Sequence, residues 1–223
     1  MSNDLQPGIV NPKVEKYLEG LLRPRSKVLS YLEKDAEKNG VPIIGSLCGN
    51  LLALIATGCR AKNILEIGTA TGYSGICLGL VAKKNSGKVI TIEMDPDRRA
   101  IANRSFSDAG LDRVVKVILG DAREIVPRVS KEQRGKFDLV LLDVGDKSIY
   151  VELLEPLIDA IRVGGYLIAD NTLWGGSVAV ASDTTIETKT LRKFNSLVYE
   201  DERLLPVIIP LRDGLTIALK TSK

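Results

Sequence analysis

Histidine is absent from the 223 residues. Ser-His-Asp triads, histidine metal sites and a histidine general base are therefore excluded. Cysteine is scarce: Cys48, Cys59 and Cys77 lack the close pairing of zinc ribbons or redox motifs. Each falls in an apolar, helix-like stretch, so reduced core residues are expected. No apolar run has the length of a bilayer span. The opening MSNDLQPGIV has neither a basic start nor an apolar segment, so no secretory signal is expected and the cytoplasm is the expected compartment. A strong excess of one charge is also missing. Lys and Arg total 31 against 28 Asp and Glu, a net +3 that neither requires nor excludes a nucleic-acid partner.

What is present is an ordinary globular composition, 44% hydrophobic and 26% charged, enough for one domain with a sizeable core. No linker, repeat or low-complexity tract divides it. The expectation is one domain over 1–223, with N-terminal helices (1–60) packed on a core (61–223). Val14, Tyr17, Leu18, Leu21 and Leu22 recur at helical spacing, and Val28, Leu29 and Leu32 continue the pattern after Pro24. A further helix is expected over about 47–58, ending at Gly58. From residue 62 short apolar runs alternate with amphipathic stretches. NILEIG, KVITIEM, VVKVILG, FDLVLLD and GGYLIAD read as strands, with helices between them. One of these, PDRRAIANRSFSDAG, has Pro96 in its first turn and Gly110 at its end. The alternation predicts a Rossmann-like α/β fold: a mostly parallel sheet with helices on both faces. LLPVIIP and DGLTIALK, separated by a short link, add an antiparallel C-terminal pair and bring the sheet to seven strands.

In open parallel sheets ligands bind at the carboxyl ends of the strands. The first strand ends in LEIGTATGYSG, where Gly68 and Gly72 permit tight turns and Ser74 opens the next helix. The spacing is neither G-x-G-x-x-G nor a P-loop, which disfavours NAD. The second strand ends in Glu93, placed to accept both hydroxyls of a ribose. Asp121 and Ala122 follow the third strand and could flank an adenine. Any one such acid could be a solvated cap; with Glu66 of the first strand, three at successive strand ends are harder to dismiss. Asp143 ends the fourth strand, and Asp170 with Asn171 ends the fifth. Adjacent strands would bring these oxygen donors together, a set suited to Mg²⁺, Mn²⁺ or Ca²⁺. The same residue types also cap turns and helices.

These motifs together resemble class I S-adenosylmethionine (SAM)-dependent methyltransferases. More narrowly, LEIGTATGYS, FDLVLLD, GGYLIADNTLWGGSV and LLPVIIPLRDGLTIALK resemble the cation-dependent O-methyltransferases, which include caffeoyl-CoA and catechol enzymes. The resemblance runs from about residue 40 to the C-terminus. It implies that Ile44, Gly68, Thr69 and Ser74 line the cofactor pocket, with Glu66 at its base. It also implies that Glu93 holds the ribose, that Asp121 and Ala122 face the adenine and that Asp146 meets the SAM amino group. Asp143, Asp170 and Asn171 would hold the divalent cation. Gly49 fits the family's glycine before the first strand, but Cys48 and Asn50 replace its usual neighbours.

The implied activity is transfer of a methyl group to a small aromatic hydroxyl, best a catechol-like or hydroxycinnamoyl-type one. Lys147 is the candidate base, lowered in pKa by burial and the cation's charge. The family places lysine three positions after the metal aspartate; here Asp143-Val144-Gly145-Asp146-Lys147 makes it four. Either the loop bulges and the roles persist, or the segment is re-aimed. Trp174 walls the acceptor pocket or is core. Gly175 stands where plant members carry asparagine, so a caffeoyl-CoA ester does not follow. The family implies a homodimer. Two alternatives remain: a tRNA hydroxyuridine O-methyltransferase using a basic patch of Arg23, Arg25, Lys27 and Lys34, and a non-catalytic SAM-binding protein.

Overall fold

The structure is a computed structural model that describes residues 9–223. Three helices come first: α1 (Pro12–Gly20), α2 (Lys27–Asn39) and α3 (Gly45–Gly58). Strands and helices then alternate: β1 (Asn63–Ile67), α4 (Tyr73–Lys84), β2 (Lys88–Glu93), α5 (Pro96–Asp108), β3 (Val115–Leu119), α6 (Ala122–Glu132), β4 (Phe137–Leu142), α7 (Tyr150–Ala160) and β5 (Ile161–Ala169). The chain closes with α8 (Ile186–Glu200), β6 (Leu204–Ile209) and β7 (Leu215–Lys220). No helix among the described residues is long and apolar enough to cross a membrane.

The seven strands lie in the order β3-β2-β1-β4-β5-β7-β6. β1 to β5 pair in parallel, and β7 runs antiparallel to both of its neighbours, as the alternation and the closing pair predict. Strand alternation divides the core in two. Ile64, Leu139 and Leu141 face one side, against α2 to α5. Leu65, Ile67, Val140 and Leu142 face the other, against α6 to α8. Each of these side chains is fully buried, and each such burial contributes about 2 kcal/mol. The chain leaves β1 for β2 on one side and later returns to place β4 on the other. The reversal between β1 and β4 is the switch point where open α/β sheets bind ligands.

Three elements differ from the sequence-based expectations, while the cysteines follow them. α1 buries none of its residues; Val14, Tyr17 and Leu21 stay exposed, and one tie to α3 is polar, from the Ser46 hydroxyl to Glu19 (3.2 Å). Packing of the N-terminal helices on the core is carried by α2 and α3 instead. α3 starts at Gly45, and the left-handed residue after it is Arg60 (φ 52°), while Gly58 remains in the helix. β5 begins three residues before the Gly164-Gly165 pair, and its register against β4 shifts from Phe137↔Ile161 to Leu139↔Tyr166. The two glycines thus take up a bulge rather than open the strand. All three cysteines are free, with Cys48 and Cys77 buried and Cys59 partly so.

Candidate active site

The carboxyl ends of β1, β2, β4 and β5 open into a cleft of about 650 Å³. Its floor is set by backbone contact. Gly68 adopts φ 98°, and a Cβ there would lie 1.9 Å from the Asp143 carbonyl oxygen, so only glycine fits. The Asp143 N–H donates to the Ile67 carbonyl (2.8 Å), which ties the end of β4 to the end of β1.

At one end of the cleft, Glu93 accepts from the N–H groups of Ala70 (2.8 Å), Met94 (2.9 Å) and Asp95 (3.0 Å). Three of the roughly four lone-pair sites of its carboxylate are thereby used. About one is left for a ligand, so a ribose diol would share it rather than be accepted twice. Asp121 also lines the cleft and caps α6, accepting from the Arg123 N–H (2.8 Å), with Ala122 buried behind it. Asp146 sits on the rim, exposed, accepting from Ser148 and from Arg123 (3.0 Å). The Ser148 hydroxyl, ahead of the Arg123 charge, holds its carboxyl below the usual range.

Ile44, Thr69 and Ser74 line the middle, where the hydroxyls of Thr69 and Thr91 share a hydrogen bond (2.5 Å). Glu66 does not line the cleft. It lies fully buried beneath the start of α4, and neither carboxyl oxygen has a hydrogen-bond partner. Burial pushes its pKa up to about 7, against the lowering effect of the Ser74 and Thr91 hydroxyls. The expected place at the base of the pocket therefore becomes a place under its wall. The face of β1 that carries Glu66 turns it toward α4, where a Cβ on Gly75 would lie 3.0 Å from its Oε2.

At the other end, the Leu142↔Ala169 pairing brings Asp143 and Asp170 side by side one step beyond the strands. Asp170 is 2% exposed and its Oδ1 has no hydrogen-bond partner. Burial, then the neighbouring Asp143, pushes its pKa well up. Asn171 follows in a left-handed conformation (φ 58°). Its Oδ1 accepts from Lys147 Nζ (2.8 Å). Lys147 is 3% exposed and also donates to the Val144 carbonyl (2.7 Å) and the Tyr150 hydroxyl (2.8 Å), so all three ammonium protons are placed. Burial lowers its pKa, opposed by Asp143, Asp170 and Asp213. The extra residue of the 143–147 string is taken up as a bow that returns Lys147 to the carboxylates through a 3-10 turn over Lys147–Ile149. Tyr150 fixes that turn: it stacks edge-on with Phe194 at 5.3 Å and donates to the Asp170 carbonyl (3.1 Å).

These residues fit a hard divalent cation. Among the described residues no three His, Cys, Asp or Glu side chains converge on one point, so a third protein donor would be the neighbouring Asn171 amide oxygen. That oxygen keeps a second lone pair beside its bond to Lys147. The unpartnered, buried Asp170 oxygen is a position where positive charge would relieve both desolvation and repulsion.

Trp174 (φ 49°) packs on the core beside α8 and also lines the cleft. Among the lining residues that were missed are the charged Arg212 and Asp213. Asp213 is buried and accepts from the Gly175 N–H, and its carbonyl accepts from Leu173 (3.0 Å), which holds the loop that carries Trp174. In sequence, R-D-G between two strands reads only as a turn. The expected basic patch is partly consumed. Arg25 donates to Glu33 (2.9 Å), which accepts from the Tyr73 hydroxyl (2.6 Å), while Arg23, Lys27 and Lys34 are exposed.

Comparison with known proteins agrees with this architecture. A family model described as O-methyltransferase matches residues 25–221. A catechol O-methyltransferase of Niastella koreensis is 32% identical over 213 residues, covering 92% of this chain and 96% of the relative. A caffeoyl-CoA O-methyltransferase of Stellaria longipes is 28% identical over 86% of this chain and 82% of its own. Among solved structures, the O-methyltransferase TomG of Streptomyces achromogenes, in complex with SAM, superposes with a TM-score of 0.85 at 26% identity over the whole of both chains. The chain belongs to the O-methyltransferase family, and it is a SAM-dependent O-methyltransferase with the class I fold.

Proposed function

We propose that the enzyme methylates one hydroxyl of a small catechol-like or hydroxycinnamoyl-type acceptor, with SAM in the cleft and a divalent cation (Mg²⁺, Mn²⁺ or Ca²⁺) on Asp143, Asp170 and Asn171. The observation that carries this reading is the buried, unpartnered Asp170 oxygen beside Asp143, facing Asn171 and Lys147. Nothing in the packing of the fold requires two carboxylates there. When bound, the cation would acidify and orient an acceptor hydroxyl.

The chain's own residues do the rest. Gly68, Thr69 and Ser74 leave room for the methionine part of SAM, and Glu93, Asp121 and Ala122 stand where its adenosine would lie. The methyl group then passes in line from sulfonium to oxygen, and positioning supplies much of the rate. Lys147, whose ammonium burial makes easier to deprotonate, gives up one of its three protons and then receives the hydroxyl proton at Nζ. Tyr150, Val144 and Asn171 hold that nitrogen in place. Trp174 walls the acceptor side against water. Two copies are expected to associate, as a sedimentation measurement would register.

The test is methyl transfer from labelled SAM to a panel of catechols and hydroxycinnamates, with EDTA and with Mg²⁺ or Mn²⁺ restored. Activity lost with EDTA and regained with metal is expected. Turnover unaffected by EDTA, or none on any acceptor with SAM bound, would remove the reading.

A further inference from the structure

Arg212 is a cleft-lining cation that no part of the mechanism uses. At the cleft wall Arg123 pairs with Asp146, Arg98 lies 3.9 Å from Asp95, and Lys147 spends its three protons on Val144, Tyr150 and Asn171. Arg212 makes no ion pair within 4.0 Å among the described residues. Among those residues its single side-chain hydrogen bond runs from one guanidinium nitrogen to the Ile43 carbonyl (2.8 Å). A guanidinium carries five N–H donors in a rigid fork, so most of them remain unspent.

The fork is held rather than loose. The Ile43 carbonyl pins one arm. Gly45, itself left-handed (φ 78°), leaves the space through which the side chain passes; a Cβ there would lie 3.2 Å from Arg212 Cδ. Arg212 itself has φ 51°, a conformation that glycine adopts without cost and arginine does not. The backbone therefore tolerates strain to keep this side chain at the β6–β7 turn. The placement is on the acceptor side. Arg212 adjoins Asp213, which holds the Trp174 loop, and its charge reaches Asp170. Pro42, Ile43, Ile44 and Trp174 give the cleft apolar surface between these charges. A flat aromatic ring suits such a slot, with hydroxyls toward Asp143 and Asp170 and its far substituent toward the guanidinium.

We propose that Arg212 is a specificity residue that binds a carboxylate on the acceptor, so that the substrate class is an aromatic acid with vicinal hydroxyls rather than a neutral catechol. This rests on the acceptor-site assignment made above. Planar, two-pronged binding of a carboxylate is what the arginine fork does better than lysine.

The test compares 3,4-dihydroxybenzoate with 3,4-dihydroxybenzyl alcohol, which differ in the anion and keep both hydroxyls. Wild-type enzyme is expected to favour the acid in kcat/KM by about tenfold or more. Arg212→Gly removes the fork while suiting the left-handed backbone. It is expected to raise KM for the acid by about tenfold, to change the alcohol by less than about twofold and to leave SAM affinity unchanged by calorimetry. Arg212→Lys is expected to fall between. Equal losses on acid and alcohol, or weakened SAM binding, would overturn the proposal, the latter assigning Arg212 to the donor's carboxylate. Calorimetric binding of each acceptor without turnover separates this idea from the broader one. If no acceptor is methylated, Arg212-dependent binding of the acid still supports the anion site, and binding indifferent to Arg212 ends it.

Discussion

Asp138 and Asp170 occupy opposite ends of the same sheet, and both are buried at 9% and 2% exposure. Asp138, near the amino ends of the strands, accepts from the N–H groups of Lys62 (2.7 Å) and Asn63 (2.8 Å) and from Arg162 Nε (2.6 Å). Burial raises its pKa, but the N–H of Asn63, the Arg162 guanidinium and the N–H of Lys62 outweigh it, and the net shift is downward. Asp170, at the carboxyl ends, has an oxygen with no partner and a like charge beside it. One carboxylate closes the fold; the other is left open for something the fold does not supply. Between these two acids, partner count and a place at the cleft, more than burial, make the difference.

The comparison breaks most visibly at Asp143 and Asp170. Replacing either with Ala is expected to lower kcat/KM about a thousandfold while leaving the thermal midpoint in metal-free buffer unchanged or higher, because repulsion is relieved. A midpoint drop without an activity defect would make them structural. Glu66 sharpens the contrast next. Its folded pKa lies above its unfolded one, so its contribution is fully present below about pH 4.5 and is lost as pH rises toward about 7. Glu66→Gln should abolish that slope, worth up to about 3 kcal/mol by pH 8, in denaturant titrations at pH 5 and 8. Parallel pH curves for the two proteins would contradict it.

Lys147→Met keeps the length and the burial but not the proton acceptor. A loss of about a hundredfold in kcat is expected, with SAM affinity retained in calorimetry. The smallest effect belongs to the opposite end. Asp138→Ala leaves two N–H groups and Arg162 without their acceptor. It should cost about 2 kcal/mol of stability and change kcat/KM less than twofold. A large kinetic defect there would erase the distinction between the two ends.

The sequence made the strand ends legible because two periods and a row of terminal acids coincide there. Glu93, Asp121, Asp143 and Asp170 each follow an apolar run, and the switch-point rule collects them at one cleft. What it hid depends on packing across distance. Arg212 and Asp213 sit in a short turn whose letters specify only a reversal. Glu66 shows an acid at a strand end, but not that alternation turns it beneath the wall. The placement of Lys147 depends on Tyr150 locking against Phe194, a contact between residues 44 positions apart. The apolar spacing of α1 promised burial that the structure does not give.

The close approach of Gly68 to the Asp143 carbonyl has one more consequence. The two ends of the cleft meet where β1 and β4 touch main chain to main chain, so their separation acts as a built-in ruler. On the proposed assignment, exchanging the side chains at 42, 43, 174 and 212 would admit new acceptors without recalibrating the gap that the methyl group must cross.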